Sequence, residues 1–151
     1  PEVKSIQKKY NLKIIGINQH IGSLFLNKEP YILGAKNLLS IAENFENLSF
    51  IDFGGGFGVP YKEEDKRLDL VDLGNELTEI IIKWAEKNNP NITVVVEPGR
   101  YIVAECGMLL GEVYSKKVNY GQTYIGTDLG FNVLHRPVLY NAYHPVEVYR
   151  N

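Results

Sequence analysis

The chain has 151 residues, 44% of them hydrophobic and 23% charged, with a formal net charge of -2. That length suits one ordinary domain or one and a half small ones, and the apolar content excludes a disordered chain. The near-neutral charge gives no electrostatic reason for a nucleic-acid or anionic-membrane partner, and no apolar run approaches the roughly 20 residues of a membrane-spanning helix.

In chain order, residues 2–10 read as the tail of a surface helix, without an initiator Met and without a secretory pattern. Residues 12–17 read as a short buried strand, and the loop after it carries Asn18, Gln19, His20, Gly22 and Ser23. From about residue 31 to residue 45, Ala35, Leu38, Leu39, Ala42 and Phe45 fall on one helical face, with Pro30 suited to the first turn. Residues 48–53 form a second strand, ended by glycines. A charged loop over 62–67 leads to a longer helix whose inner stripe is Leu70, Leu73, Leu77, Ile80, Ile81 and Trp84, stopped by Asn88-Asn89-Pro90. Residues 92–96 are apolar on both faces, the pattern of a central parallel strand.

Strands that alternate with helices imply a parallel sheet with helical crossovers, either a doubly wound sheet or part of a (β/α)8 barrel. Function in both sits at the carboxyl ends of the strands. The texture changes near Ala104. A long strand over 108–118, a turn at Asn119-Tyr120-Gly121-Gln122 and a short strand over 123–127 predict an antiparallel β domain with no helix after it. The last residues, 146–151, stop inside an alternating strand-like pattern, so both ends read as cut and the sequence as a fragment of a longer protein.

Three polar motifs stand directly after the three strands. Gly54, Gly55 and Gly56, with Gly58 beyond, remove every Cβ at a strand end, which suits an anion held by backbone N–H groups as well as a plain tight turn. No Lys-Ser or Lys-Thr comes next, and the next helix starts too late for a dinucleotide fingerprint. Glu97-Pro98-Gly99-Arg100 sets a carboxylate and a guanidinium on one sharp turn. Such a pair is either a structural ion pair or a grip on a phosphate and a protonated heterocyclic nitrogen. His20 and Ser23 offer a flat imidazole and a hydroxyl at the same edge, although a loop histidine is commonly just a surface residue. His135 and His144 have no metal-ligand spacing with it, and Cys106 is expected to pack rather than react. Arg136 and Tyr140 stand four apart around Pro137, which suits a substrate carboxylate.

Four segments in this order resemble the fold-type III pyridoxal-phosphate decarboxylases. They are Gly16-Ile17-Asn18-Gln19-His20-Ile21-Gly22-Ser23, Asp52-Phe53-Gly54-Gly55-Gly56-Phe57-Gly58, Glu97-Pro98-Gly99-Arg100 and Arg136-Pro137-Val138-Leu139-Tyr140. The last favours the branch acting on diaminopimelate over the ornithine and arginine branches. The resemblance implies an α/β fold in which residues 1–104 are the C-terminal portion of a pyridoxal-phosphate-binding (β/α)8 barrel and residues 105–151 begin a β-sheet domain. It implies that His20 stacks on the cofactor ring and that Ser23, Gly54, Gly55, Gly56, Gly99 and Arg100 surround the phosphate. Glu97 then pairs with the ring nitrogen, and Arg100, Arg136 and Tyr140 take the substrate's distal carboxylate. The resemblance also implies a homodimer, with the active site shared across the interface, and a small amino-acid substrate. Independently of it, the lone Cys106 cannot form an internal disulfide, so a reducing cytoplasm is expected, and no Cys/His cluster suggests a metal.

The family's Schiff-base lysine, in a Tyr-Ala-x-Lys-like context, and its Cys-Glu-Ser-x-Asp motif from the partner subunit have no counterpart here. No catalytic residue is therefore assigned in this chain, and the fragment alone is expected to be inactive. Three further readings stay open: another amino-acid decarboxylase of the same fold, acting on ornithine, arginine or lysine; a non-catalytic relative acting as a binding or regulatory protein; and a phosphosugar barrel enzyme. The last does not account for His20, Glu97 and Arg136 together.

Overall fold

The computed structural model describes residues 2–149. The chain divides into two compact units: one runs to Pro60 and resumes over Lys66–Ala104, the other combines Tyr61–Asp65 with the residues from Glu105 onward.

The first unit opens with helix α1 (Glu2–Tyr10), followed by strand β1 (Gly16–Asn18), helix α2 (Glu29–Ala42), strand β2 (Phe50–Gly55), helix α3 (Leu70–Asn88), strand β3 (Thr93–Glu97) and the one-turn helix α4 (Arg100–Val103). The strands form a parallel sheet in the order β1-β2-β3, with α2 and α3 as crossovers. Each crossover helix forms for a readable reason. Pro30 lies in the first turn of α2, where its missing N–H has no intrahelical partner to lose. Asp69 caps α3 by accepting the backbone N–H of Val71 and of Asp72, both at 2.9 Å.

The apolar faces of these helices meet β2 in one core. Tyr31, Ala35, Leu38, Leu39 and Ala42 of α2 pack with Ile51 and Phe53 of β2 and with Leu73, Leu77 and Trp84 of α3. Two buried polar groups tie the layers: the Trp84 indole N–H donates to Leu39 O at 3.0 Å, and the Tyr31 hydroxyl donates to Gly54 O at 3.3 Å. Burial of a large apolar side chain is worth roughly 1.5–3 kcal/mol, so this cluster, rather than helix propensity, holds the unit together.

The structure corrects several expectations. β1 is shorter than residues 12–17, because pairing with β2 starts only at Gly16 opposite Phe50. β3 is not central: β2 is, with β3 at the sheet edge among the described residues, leaving Val94 and Val96 41% and 44% exposed. Leu70 is exposed at the start of α3, and Tyr31 and Ile32 join the core although the expected stripe began at Ala35.

The second unit contains the antiparallel pair β4 (Val113–Asn119) and β5 (Gln122–Thr127), then the short helix α5 (Arg136–Tyr140). Tyr120 and Gly121 turn the hairpin with positive φ at both positions, as a two-residue hairpin loop requires. Residues 108–112 are not strand, because β5 ends at Thr127 and leaves them no ladder partner; Glu112 instead exchanges bonds with Asp128. Helix α5 was not expected. Pro137 sits in its first turn and Asn141 closes it in the left-handed conformation. The expected alternation over 146–151 gives no strand through Tyr149, and Arg150 and Asn151 lie outside the described residues. Cys106 is exposed rather than packed.

Candidate functional site

The carboxyl ends of β1, β2 and β3 lie side by side, because three parallel neighbours end at one edge of the sheet. The loops leaving them enclose a cleft of about 240 Å3, just below the roughly 300–1,000 Å3 usual for small-molecule pockets. His20, Ser23 and Leu24 come from the loop after β1, Gly56 and Phe57 from the loop after β2, and Glu97, Pro98, Gly99 and Arg100 from the end of β3 and the turn beyond it. A second cleft of about 200 Å3, lined by Lys4, Gln7, Lys13 and Glu46 among others, contains none of the candidate site residues read from the sequence.

The loops are fixed to one another by backbone bonds. Gln19 N–H donates to Asp52 O at 3.1 Å, Phe25 N–H to Gly56 O at 3.2 Å, and Gly58 N–H to Phe25 O at 2.9 Å. Between Asp52 and Gly55 the register of β2 against β3 shifts, with three residues of β2 advancing against two of β3. Such a bulge bends its strand and redirects the residues beyond it. Here it carries the chain from the buried Phe53 to Gly56 at the cleft wall.

The three glycines divide their work. A Cβ on Gly54 would collide with the carbonyl oxygen of Gln19, and one on Gly55 with that of Glu97. Both residues are buried behind the cleft, so their bareness admits neighbouring backbone. Gly56 alone of the three lines the cleft, at φ +100°.

Arg100 carries the clearest sign of a ligand. Its Nη1 is buried and has no hydrogen-bond partner among the described residues. A guanidinium nitrogen removed from water without an acceptor is expensive, and a bound anion would supply the acceptor. His20, Ser23 and Glu97 are exposed at the same cleft. Six of the residues singled out from the sequence thus come together: His20, Ser23, Gly56, Glu97, Gly99 and Arg100. Arg136 and Tyr140 belong to the second unit, one helical turn apart on α5, with the guanidinium carbon 5.9 Å from the Tyr140 ring centre. Arg136 Nε is also buried without a partner among the described residues.

Leu24 and Tyr31 carry no signal in the sequence that marks them as part of a site, and Asp52 and Phe57 stand in a motif that assigns them no role. Phe57 packs with Phe25 and Tyr31 at ring-centre distances of 5.6 and 5.0 Å, so an aromatic cluster floors the cleft. Burial, with a smaller contribution from the Asp52 carboxylate, pushes the Tyr31 hydroxyl well above the usual tyrosine range, which keeps it a donor. The spacing of Phe25, Tyr31 and Phe57 gives no periodic pattern, because they sit on three different elements. No group of three or more His, Cys, Asp or Glu residues suited to a metal ion occurs among the described residues, and no described helix is long and apolar enough to cross a membrane.

Known proteins resemble this chain in sequence and fold. Residues 1–104 match the family model of the pyridoxal-binding domain of the pyridoxal-dependent decarboxylases. Diaminopimelate decarboxylase of Methanothermobacter thermautotrophicus is 36% identical, the alignment covering 98% of this chain and 36% of that protein. The enzyme of the same name from Aquifex aeolicus is also 36% identical, over 97% of this chain and 37% of the relative. The crystal structure of Helicobacter pylori diaminopimelate decarboxylase complexed with L-lysine superposes with a TM-score of 0.78 at 32% identity, covering 95% of this chain and 36% of that one. The chain therefore spans about a third of the length of these relatives. The fold class is α/β, strand–helix units of the barrel type followed by antiparallel β structure, and the chain belongs to the pyridoxal-dependent decarboxylase family.

Proposed function

We propose that the polypeptide carrying this chain decarboxylates meso-2,6-diaminopimelate to L-lysine and CO2, with pyridoxal 5'-phosphate as cofactor. The observation that carries the reading is the buried Arg100 Nη1, without a partner among the described residues, at a cleft formed with His20, Ser23, Gly56 and Glu97. That donor set fits a flat, anionic, nitrogen-containing ring. The names of the relatives aligned over nearly the whole chain support the choice of substrate.

The cofactor, when bound, supplies an electron sink for the carbanion left as CO2 departs. The chain's own residues supply the holding and the electrostatics. The Ser23 hydroxyl, the backbone at Gly56 and Gly99 and the Arg100 guanidinium hold the phosphate, while Gly54 and Gly55 let the neighbouring strands close behind it. The His20 imidazole lies against one ring face. Glu97 keeps a proton on the ring nitrogen by offering a carboxylate to it. Arg100, Arg136 and Tyr140 each offer a charge or a hydroxyl suited to a substrate carboxylate. The attachment lysine of the family has no counterpart in these 151 residues, so no lysine here is given that role.

Residues 1–104 act as cofactor-binding barrel and residues 105–151 as the beginning of a β domain, in a cytoplasmic homodimer. The separation of two compact units near Ala104 supports that division. CO2 release by the full-length protein from meso-diaminopimelate, ornithine, arginine and lysine tests the assignment. Preferential turnover of diaminopimelate, dependent on added cofactor, is expected. Preferential turnover of ornithine or arginine overturns the substrate, and no turnover of any of the four overturns the activity.

A further inference from the structure

Tyr31 lies on α2, away from every sequence motif, yet it touches both loops that wall the cleft. Its side chain is 0% exposed. The ring packs on Phe25 from the loop after β1, at 5.3 Å between centres, and on Phe57 from the loop after β2, at 5.0 Å. The hydroxyl donates to the carbonyl oxygen of Gly54 at 3.3 Å. On the other side of Gly54, its N–H donates to Asp52 Oδ1 at 2.9 Å. Gly54 is thus gripped at both its donor and its acceptor while holding φ +70°. Gly56, two residues on, faces the cleft and bonds through its carbonyl to Phe25 N–H.

We propose that Tyr31 is a positioning residue for the phosphate side of the cleft, fixing the loops after β1 and β2 to each other through its ring and the Gly54 peptide through its hydroxyl. The inference rests on the pyridoxal-phosphate reading given above. A phenylalanine would fill the same core space without desolvating a hydroxyl. The hydroxyl's bond goes to the glycine segment rather than to solvent or helix, so its effect is on the conformation of that segment. If Gly54 rotates, the displacement passes through one intervening residue to Gly56, where the cleft wall and the Phe25 bond both respond.

The test compares the full-length protein with its Tyr31→Phe variant in equilibrium binding of pyridoxal 5'-phosphate and of pyridoxal, which lacks the phosphate. The expected result is an affinity for pyridoxal phosphate lowered about fivefold, the scale of one net hydrogen bond, with the affinity for pyridoxal unchanged. Unchanged affinity for both ligands overturns the proposal, since Tyr31 then only packs. Equal weakening of both ligands also overturns it, as general loosening of the fold. A wild-type protein that does not distinguish the two ligands removes the cofactor reading and this inference together, an outcome separable from a failure of the variant alone. Should Tyr31→Phe not fold, Asp52→Asn, which keeps the side-chain shape and weakens the bond to Gly54 N–H, is read by the same two affinities.

Discussion

Two glycines of this chain respond to the same substitution with opposite sign. Gly54 holds φ +70°, and a Cβ there would strike the carbonyl oxygen of Gln19, a backbone atom that no rotamer change can move aside. The left-handed conformation costs a non-glycine residue roughly 1–2 kcal/mol, and a forced contact in a packed region about 1–3 kcal/mol more. Gly54→Ala is therefore expected to lose about 2–5 kcal/mol, a large share of the roughly 5–15 kcal/mol that stabilises a typical domain. Gly74 sits inside α3, and its Cβ would meet nothing within 4 Å. There Ala removes the helix-interior penalty of glycine, a gain of about 1 kcal/mol. Urea unfolding of the full-length protein, followed at the single tryptophan of this chain, Trp84, reads both changes from the buried contact between α2 and α3. With an m-value near 2 kcal/mol/M, Gly54→Ala lowers the midpoint by about 1–2.5 M and Gly74→Ala raises it by about 0.5 M. A Gly54→Ala protein as stable as the wild type would refute the close approach of the loop after β1 to the end of β2.

Asp69→Ala removes two bonds at the start of α3 and is expected to cost about 1 kcal/mol, measured by the same unfolding curve, while cofactor affinity stays unchanged. Trp84→Phe removes one of the two bonds that Leu39 O accepts, the Glu43 N–H at 3.3 Å remaining, and is expected to cost about 1 kcal/mol, read by circular dichroism. Tyr31 has its folded-state pKa raised by burial and by Asp52. A raised pKa contributes stability that is complete below the ordinary tyrosine value of about 10 and is lost as pH climbs above it. Wild-type protein should therefore lose more stability above that pH than Tyr31→Phe does, in paired thermal melts across the alkaline range. Parallel loss in both proteins would mean that the hydroxyl is not buried.

Elements long enough to show a period were legible in the sequence. The stripe Leu73–Leu77–Trp84 and the turn at Asn119-Tyr120-Gly121-Gln122 stand where they were expected. Elements whose limits are set by a partner were not. β1 is cut short by its register with Phe50, and residues 108–112 lose their strand because β5 stops at Thr127. The exposure of β3 depends on sheet order, which its own run of valines cannot report. Helices α4 and α5 are too short for periodicity, although Pro137 and Asn141 mark the ends of α5.

The site divides along similar lines. Residues whose chemistry is unusual at a strand end, such as His20, Ser23, Glu97 and Arg100, could be singled out, and the parallel sheet brings them to one cleft. Their supports could not. Tyr31 reads as one more apolar helix position, and only its bond to Gly54 distinguishes it from Ile32 beside it. The glycine run was visible, but not the difference between Gly54 and Gly55, which admit neighbouring backbone, and Gly56, which faces the cleft.

On the proposed reading, the cleft at the strand ends holds the cofactor phosphate against Arg100. A crystal structure of the full-length protein grown with pyridoxal 5'-phosphate tests this. The phosphate is expected within hydrogen-bond distance of Arg100 Nη1 and beside Ser23 and Gly56. A phosphate bound elsewhere, with Arg100 Nη1 still without an acceptor, would contradict it.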